Sequence, residues 1–251
     1  MISTMKSKLF SALKLVLSLL FWCAVWQIAS ILINHTFLFP GIPDTFDSLF
    51  RLINTPGFYK SIFFSAIRVV TGLFLGCTVG IGLAVLSNRF SLIHTLVSPL
   101  ITIIKSTPVA SFIVVLWVMM SGNALSVFIG FLMVMPILWQ NTLDGYAAID
   151  KNLSEVADIF EFSQAKRFRL LVFPTLKKFI VPGIITASGL AWKAEIAAEI
   201  IAYTKNSIGQ GINDAKYNMD TPTVFAWTLV VICFSIVLEK STKALLRRVK
   251  E

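Results

Sequence analysis

Two glutamates in an apolar stretch, Glu195 and Glu199, are the side chains best placed to do chemistry in this sequence. Their i, i+4 spacing puts both carboxyl groups on one helix face, where like charges repel. A cation, a water-filled cavity or protonation must relieve that repulsion, and Lys193 and Arg68 are the candidate intramolecular partners. Long apolar stretches are typical of membrane spans, and ionisable side chains inside a membrane usually face a bundle interior or a cavity. These four residues therefore predict either a translocation path or gate, or a structural ion pair that fixes helix register.

Two paired carboxylates could also do acid–base catalysis or bind protons and cations in an ion-coupled carrier. The sequence contains neither H-E-x-x-H nor a G-x-S-x-G elbow, and no His or Cys lies near the carboxylates. Its hydropathy pattern shows no internal repeat of the kind found in many carriers. Cys23, Cys77 and Cys233 are isolated and lack metal-ligand spacing, so we expect no metal site.

The composition indicates a membrane protein with several spans. The 251 residues are 56% hydrophobic and 14% charged, whereas soluble domains carry about 25% charge. A helical span needs about 20 apolar residues, so the sequence predicts an all-α integral membrane protein with one membrane domain over 1–251. The predicted spans are 9–33, 60–86, 99–121, 124–143, 177–203 and 223–239.

The distribution of positive charge predicts the topology. The net charge is +9, but with the N-terminus inside only Arg51, Lys60, Lys205 and Lys216 fall in the outer loops. Most other Lys and Arg fall on the inner side, as the positive-inside rule requires. We therefore expect a multi-pass protein of the cytoplasmic (inner) membrane with both termini in the cytoplasm, bound to lipid and not to nucleic acid. Lys105, near an inner span end, could snorkel to the headgroups.

Two further patterns concern helix packing. Gly72, Gly76 and Gly80 are four residues apart and would let helix backbones approach closely, either within one subunit or at a dimer seam. Pro108 and Pro136 lie inside predicted spans and predict kinks.

A polar segment, 144–176, separates the fourth and fifth predicted spans. Asn152 and Glu155 have capping-box spacing, and Val156, Ile159 and Phe160 form an apolar stripe on the helix that would follow. Ser163 can cap a second short helix, which Pro174 would limit. The segment is either a docking surface on the cytoplasmic side or a solvated loop.

The stretch EVADIFEFSQAKRFRLLVFP resembles the cytoplasmic-loop signature of binding-protein-dependent ABC importer permeases, which reads E-A-A, three residues, Gly, nine residues, I-x-L-P. Glu161 stands where the family has glycine, so either the turn is built differently or the helix runs on to Phe162. In the family this loop supplies the coupling helix that contacts the ATPase. The resemblance implies that role for Glu155, Val156, Ala157, Asp158, Ile159, Phe160, Glu161, Leu171, Phe173 and Pro174.

Other blocks, including KSTPVASF and GLAWKAEIAAEIIA, occur in the order seen in permeases of the nitrate, sulfonate and taurine importer group. This resemblance implies a type I (MetI-like) fold of about six transmembrane helices with cytoplasmic coupling helices. It also implies a role for Glu199, which matches a glutamate usual in the family.

The implied partners are a second permease copy, a dimer of ABC ATPase subunits and an extracytoplasmic substrate-binding protein. The chain itself has no G-x-x-x-x-G-K-[ST] phosphate loop, so it is not expected to be an enzyme. ATP and Mg²⁺ would bind the partner ATPase, and no cofactor is expected here. The implied substrate is a small solute resembling a sulfonate, taurine or nitrate, and a pyrimidine-like vitamin precursor is the alternative.

Overall fold

The computed structural model describes residues 2–247, and over that range the chain is helical, with no β-strand. The basic residues Arg248 and Lys250, which contribute to the predicted topology, lie outside the described residues. The α-helices are α1 (Ile2–Ile33), α2 (Ile42–Ile53), α3 (Pro56–Arg89), α4 (Ser91–Ser106), α5 (Val109–Trp117), α6 (Gly122–Ala147), α7 (Lys151–Ile159), α8 (Gln164–Arg167), α9 (Phe173–Ile201), α10 (Ile208–Tyr217) and α11 (Thr221–Arg247).

Five stretches of the described chain are long and apolar enough to cross a membrane, and the total is six if one bent pair counts as a single span. The five are Leu13–Ile33, Pro56–Arg89, Gly122–Ala147, Gln164–Ile201 and Thr221–Leu246. They correspond to the predicted spans 9–33, 60–86, 124–143, 177–203 and 223–239. The second, third and fifth extend beyond both predicted ends, the first begins four residues later than predicted, and the fourth begins earlier and ends two residues sooner.

The predicted third span, 99–121, is not one continuous helix. Helices α4 and α5 replace it, and they are bent by 101° at the break between them. Pro108 has no N–H to continue the first helix and disfavours the α conformation of Thr107, whose φ of −85° and ψ of 132° are extended. The predicted kink at Pro108 is thus confirmed in a stronger form, whereas α6 continues through Pro136.

The chain divides into two compact units. In the first, made by residues up to Tyr59 together with Gly211–Val230, the backbone N–H of Ile42 donates to Gln27 Oε1 at 3.0 Å. Helix α2 begins after Gly41, whose N–H donates to the Asp44 carboxylate at 3.2 Å. Asp44 therefore caps this amphipathic helix from its third position.

The second unit contains Lys60–Gln210 and the residues from Val231 onward, and its centre is the packing of α6 against α9. The three glycines of α3 lie against α6. An added Cβ would fall 2.5 Å from Val134 at Gly76, and 2.6 Å from the Met135 carbonyl at Gly80. The glycine spacing therefore serves helix packing within one subunit, the first of the two predicted alternatives.

The entry into α9 differs from the prediction. A π-helical turn, Phe168–Val172, joins α8 to α9, so the helix does not end at Pro174. Pro174 is the second residue of α9 and directly follows the π-helical turn, where the helical hydrogen-bond pattern changes. The result is an uninterrupted helical stretch from Gln164 to Ile201 that links the polar segment directly to the fifth long helix.

Candidate functional site

Glu199 is the centre of a buried polar cluster near the C-terminal end of α9. Its side chain is 1% exposed and pairs with Arg68 of α3, whose Nη1 lies 2.9 Å from Glu199 Oε1. Ser65 Oγ, one turn earlier on α3, lies 2.8 Å from both carboxylate oxygens. The Gly209 N–H donates to Oε2 at 3.3 Å. Both oxygens of this carboxylate therefore accept hydrogen bonds.

The Gly209 donor belongs to the first turn of α10. The Ile208 N–H in the same turn donates to Ser65 Oγ at 3.1 Å. The first N–H groups of a helix have no intrahelical acceptor and carry partial positive charge, so they favour a nearby carboxylate. A Cβ at position 209 would lie 2.4 Å from the Glu199 Cβ, and glycine is therefore what permits this approach.

Arg68 extends the cluster beyond the ion pair. Its Nη2 donates to Asn123 Oδ1 at 2.8 Å, at the start of α6, and to the Lys205 carbonyl at 3.1 Å. Its Nη1 also lies 3.4 Å from the Asn206 carbonyl. The guanidinium therefore ties α3 to α6 and to the loop that follows α9. We define the clamp as Ser65, Arg68, Asn123, Glu199 and Gly209.

Glu195, one turn before Glu199, has a different environment. Its side chain is also 1% exposed, but neither carboxyl oxygen has a hydrogen-bond partner among residues 2–247. The carboxyl group packs against two glycines: an added Cβ would lie 1.6 Å from Oε1 at Gly130 and 2.4 Å from it at Gly72. A buried polar group without a partner costs free energy. Glu195 therefore needs a functional explanation, whereas the hydrogen bonds of Glu199 already account for its burial.

The structure brings together three of the four residues predicted to act inside the membrane, namely Arg68, Glu195 and Glu199. The predicted partnership of Arg68 with the glutamates is confirmed by its ion pair with Glu199. The predicted partnership of Lys193 is wrong, because Lys193 is exposed while both glutamates are buried. Lys193 lies two positions before Glu195, which corresponds to about 200° of rotation around the helix. Its side chain is therefore directed away from the glutamates.

The polar segment forms the second candidate site. Asp150 caps α7 by accepting the Asn152 N–H at 2.8 Å, so the prediction that Asn152 is the cap is wrong. Ser163 caps α8 by accepting the Lys166 N–H at 3.4 Å, as predicted. Asp150 precedes the first helical residue, which is where a side-chain oxygen best reaches the free N–H groups.

Glu161 adopts the left-handed conformation expected of a glycine, with φ of 48°. The Phe162 N–H donates to the Ala157 carbonyl at 2.9 Å, and the Glu161 N–H donates to the Asp158 carbonyl at 3.0 Å. This pair of bonds defines a Schellman motif. Both alternatives considered for Glu161 are therefore wrong: the turn is the glycine-type turn, and glutamate occupies it.

Arg167 joins α8 to α7 across this turn. Its Nη1 lies 2.5 Å from Asp158 Oδ1, and its Nη2 donates to Ser154 Oγ. Asp158, predicted to contact an ATPase, is therefore held within the segment itself. Lys166 lies over the Phe162 ring at 3.9 Å from its centroid, which further orders the turn.

The predicted apolar stripe on α7 is exposed. Val156, Ile159 and Phe160 are 44%, 77% and 69% exposed, whereas the neighbouring Ala157 is buried. A polar segment with an ordered, exposed apolar face has the features of a protein contact surface. Of the other residues in this predicted set, Glu155, Phe173 and Pro174 are also exposed, and Leu171 is half-buried.

Several residues of these sites were missed from the sequence. Ser65 and Arg68 have i, i+3 spacing on α3, which could have indicated a shared polar face in an apolar helix. Nothing in the local sequence connects Gly130 or Gly209 to the glutamates, because those contacts join distant segments. In the described residues no group of three or more His, Cys, Asp and Glu side chains could hold a metal ion.

Several helices long and apolar enough to cross a membrane, with a polar segment between two of them, define the class: a multi-span integral membrane protein. The family described as the binding-protein-dependent transport system inner membrane component matches residues 72–251, and the chain belongs to that family.

Relatives and a solved structure agree with this assignment. A putative aliphatic sulfonates transport permease of Bacillus subtilis (strain 168) is 25% identical over 219 residues, covering 85% of this chain and 77% of the relative. The taurine transport system permease of Escherichia coli (strain K12) is 21% identical over 230 residues, covering 89% and 83%. A crystal structure of an amino acid ABC transporter with histidines matches with a TM-score of 0.65 at 16% identity, covering 80% of this chain and 96% of that chain.

The predicted fold is confirmed as that of type I, MetI-like ABC importer permeases. The chain is a multi-pass membrane permease subunit that contributes to a translocation pathway. Its family works with an ATPase and a substrate-binding protein, and its relatives are permeases and not ATPases.

Proposed function

We propose that two copies of this chain form the pathway for a small anionic solute that an extracytoplasmic binding protein delivers and an ATPase dimer drives across the cytoplasmic membrane. The relatives named for aliphatic sulfonates and taurine favour this substrate class. Their identities of 25% and 21% leave the substrate itself open. The pyrimidine-like alternative is therefore an outcome of the experiment below.

The observation that carries the proposal is the exposed apolar face of α7. Large apolar side chains cost free energy in water, yet Ile159 and Phe160 project from a segment whose turn is fixed by the Schellman motif and by Arg167. Because the π-helical turn continues into α9, a displacement of α7 by an ATPase would reach the long helix without a flexible joint. The polar segment thus fits the role of coupling element.

The clamp has a supporting role in this proposal. Arg68 and Glu199 fix the C-terminal end of α9 to α3 and α10, so a movement that enters α9 at its N-terminal end is transmitted along a helix held at both ends. Glu195, which has no partner within the described chain, is the residue proposed to contact the path or gate when the helices rearrange. Lys193 would join the path only if a second copy encloses its exposed face.

The experiment is ATP-driven uptake by the complete transporter. The tagged permease is co-purified with its ATPase, reconstituted into liposomes and supplied with the binding protein. Uptake of labelled taurine and of a labelled aminopyrimidine is then measured, each with methanesulfonate or nitrate as the competitor. Taurine uptake that the anions inhibit supports the proposal, and uptake of the aminopyrimidine alone assigns the alternative substrate class.

Phe160→Ser tests the coupling surface in the same system. Removing a large aromatic anchor from a contact surface costs about 2 kcal/mol or more when it is a hot spot. The affinity of the permease for the ATPase should therefore fall about 30-fold. Phe90→Ser is the matched control, because Phe90 is also an exposed phenylalanine and lies at the α3–α4 junction. Equal loss in both variants, or in neither, would contradict the assignment of α7 as the ATPase contact.

A further inference from the structure

A cavity with both polar and apolar lining residues lies between α4 and α6, and neither the sequence prediction nor the clamp accounts for it. Its volume is about 360 Å³. Pockets that hold small molecules have volumes of about 300–1,000 Å³, so a small solute with some water fits. Its lining residues are His94, Ser98, Ile101, Thr102, Lys105, Ser106, Trp139, Gln140 and Leu143.

The polar lining of α4 has a regular spacing. His94, Ser98, Thr102 and Lys105 follow i, i+4, i+8, i+11, which places them along one helix face over about 16 Å at 1.5 Å per residue. The other exposed face of α4 carries Leu92, Leu96, Leu100 and Ile103 with the same spacing, two residues earlier. Two residues correspond to about 200°, so the polar face and the leucine face lie on opposite sides of the helix.

This arrangement indicates which face meets lipid. Helix α4 also has a third, buried face formed by Ile101 and Ile104. The leucine face is suited to hydrocarbon, whereas polar side chains in a membrane helix face a water-filled cavity or the bundle interior. The cavity therefore opens on the aqueous side of the helix and not toward acyl chains.

The charges of the cavity favour an anion. Lys105 has no ion-pair partner among the described residues, and no carboxylate lines the cavity. The nearest acidic group on α6, Asp144, is exposed and accepts the Gln140 amide at 2.9 Å. The His94 ring stacks on Trp139 with centroids 5.6 Å apart, which fixes one wall.

The hydrogen-bond donors in the cavity also favour an anion. The hydroxyl groups of Thr102 and Ser106 donate to carbonyls of their own helix, at 2.9 Å and 2.5 Å. Lys105 and His94, together with the Ser98 hydroxyl, make no such bond within the described residues, so their donors can serve a ligand. An ammonium group with further hydrogen-bond donors nearby suits an oxyanion.

We infer that this cavity binds the oxyanion group of a solute in transit, with Lys105 as its charge partner and His94 and Ser98 as further hydrogen-bond donors. The inference rests on the proposed function for the identity of the solute, and it names the residues that would recognise it. A sulfonate group and a phospholipid phosphate share this chemistry, and the experiment distinguishes them.

The experiment measures charge selectivity at the cavity in the assembled transporter. Ser98→Cys is introduced after Cys23, Cys77 and Cys233 are replaced by Ala, in nanodiscs of phosphatidylcholine. Labelling rates are compared for methanethiosulfonate reagents carrying a sulfonate or a trimethylammonium group, each normalised to Val118→Cys, which is 86% exposed. We expect the sulfonate reagent to react about five- to tenfold faster, from Coulomb attraction and repulsion by one lysine charge.

Lys105→Gln should abolish this preference. Arg89→Gln is the matched control, because Arg89 lies at the end of α3, two residues before α4, but does not line the cavity. Retention of the preference in Lys105→Gln, equal loss in both variants, or failure of Ser98→Cys to react at all would each overturn the inference.

Adding methanesulfonate or phosphatidylglycerol to the labelling reaction identifies the source of the oxyanion. Protection of Ser98→Cys by methanesulfonate supports a transported solute, whereas protection only by added phosphatidylglycerol would assign the cavity to lipid headgroups and overturn the inference. The outcomes also distinguish failure of the cavity assignment from failure of the proposed function. Uptake without charge selectivity contradicts only the cavity assignment, and selectivity without ATP-driven uptake contradicts only the proposed function.

Discussion

At the scale of single residues, the turn after α7 shows how a family pattern can survive without its characteristic residue. The glycine position holds Glu161, and the backbone still adopts φ of 48°. The left-handed conformation costs an L-residue about 1–2 kcal/mol. The network around the turn, with two Schellman bonds and the Arg167 ion pair, maintains it despite that cost.

Glu161→Gly should therefore stabilise the permease. We expect a gain in the free energy of unfolding of about 0.5–1 kcal/mol, since glycine relieves the strain but is more flexible in the unfolded chain. The measurement is the thermal unfolding midpoint of the purified protein in detergent. Glu161→Ala, which removes the carboxylate and keeps Cβ, should show no such gain. If alanine stabilises as much as glycine, the effect comes from charge and not from the backbone.

Gly130 and Glu195 should depend on each other. A methyl group at position 130 would overlap the Glu195 carboxyl group, because its Cβ would lie 1.6 Å from Oε1. We expect Gly130→Ala to destabilise the protein by about 1–3 kcal/mol, as overpacking does. Adding Glu195→Ala should recover much of that loss by creating space.

Gly189→Ala is the control for Gly130→Ala. No atom lies within 4 Å of a Cβ at Gly189, so the substitution should be neutral, or slightly stabilising through helix propensity. Folding yield and the unfolding midpoint check all three variants. A double variant no better than Gly130→Ala alone would show that the carboxyl group is not what the glycine accommodates.

Arg68 and Glu199 should behave as a coupled buried pair. Removing one member leaves an unpaired charge in the interior, which costs about 3–5 kcal/mol, so Arg68→Met and Glu199→Leu should each reduce the amount of folded protein strongly. The double variant should lose less than the sum of the two, because it leaves no isolated charge. Additive losses in the unfolding midpoints would mean that the two residues act independently.

The extent to which the sequence predicted these residues depends on the distance over which they interact. The pairing of Arg68 with a glutamate was predictable because a charge in an apolar helix needs a partner. Choosing between Glu195 and Glu199 was not, because the choice is made by Ser65, Ile208 and Gly209, which only the folded chain brings together. The Lys193 prediction failed because it relied on proximity in sequence and ignored the helical rotation.

At the scale of helices, the hydrophobic pattern predicted which segments form long helices better than it predicted whether each helix is continuous. Five of the six predicted spans correspond to long helices, because an apolar run of about 20 residues has few alternatives in a membrane. The third became the bent pair α4 and α5, since the consequence of Pro108 depends on whether neighbouring residues restore the lost hydrogen bond. Pro136 has the same local effect, yet α6 continues through it, buried among its neighbours.

Proline also misled the prediction at the start of α9. Pro174 was expected to limit a short helix, but it lies in the first turn of a long one, preceded by the π-helical turn. The two placements are indistinguishable from local sequence, because proline is unfavourable within a helix and favourable at its start. As a result, an uninterrupted helical connection replaces the expected break between the polar segment and α9.

At the scale of the whole molecule, the bent pair decides the topology. If α4 and α5 cross the membrane together, the chain has six crossings and both termini lie on the same side, in agreement with the charge distribution. If the pair re-enters on the side where it began, the chain has five crossings and the termini lie on opposite sides. Reporter fusions at the two termini distinguish these cases.

We expect six crossings, because the basic residues near both ends would otherwise be placed on opposite sides, against the positive-inside rule. Ser121→Cys, between α5 and α6, should then react with a membrane-impermeant thiol reagent added outside intact cells. Ser91→Cys, between α3 and α4, should react only after permeabilisation. Protection of both positions until permeabilisation, with reporters on opposite sides, would establish the re-entrant form and reverse the sidedness of α6, α9 and α11.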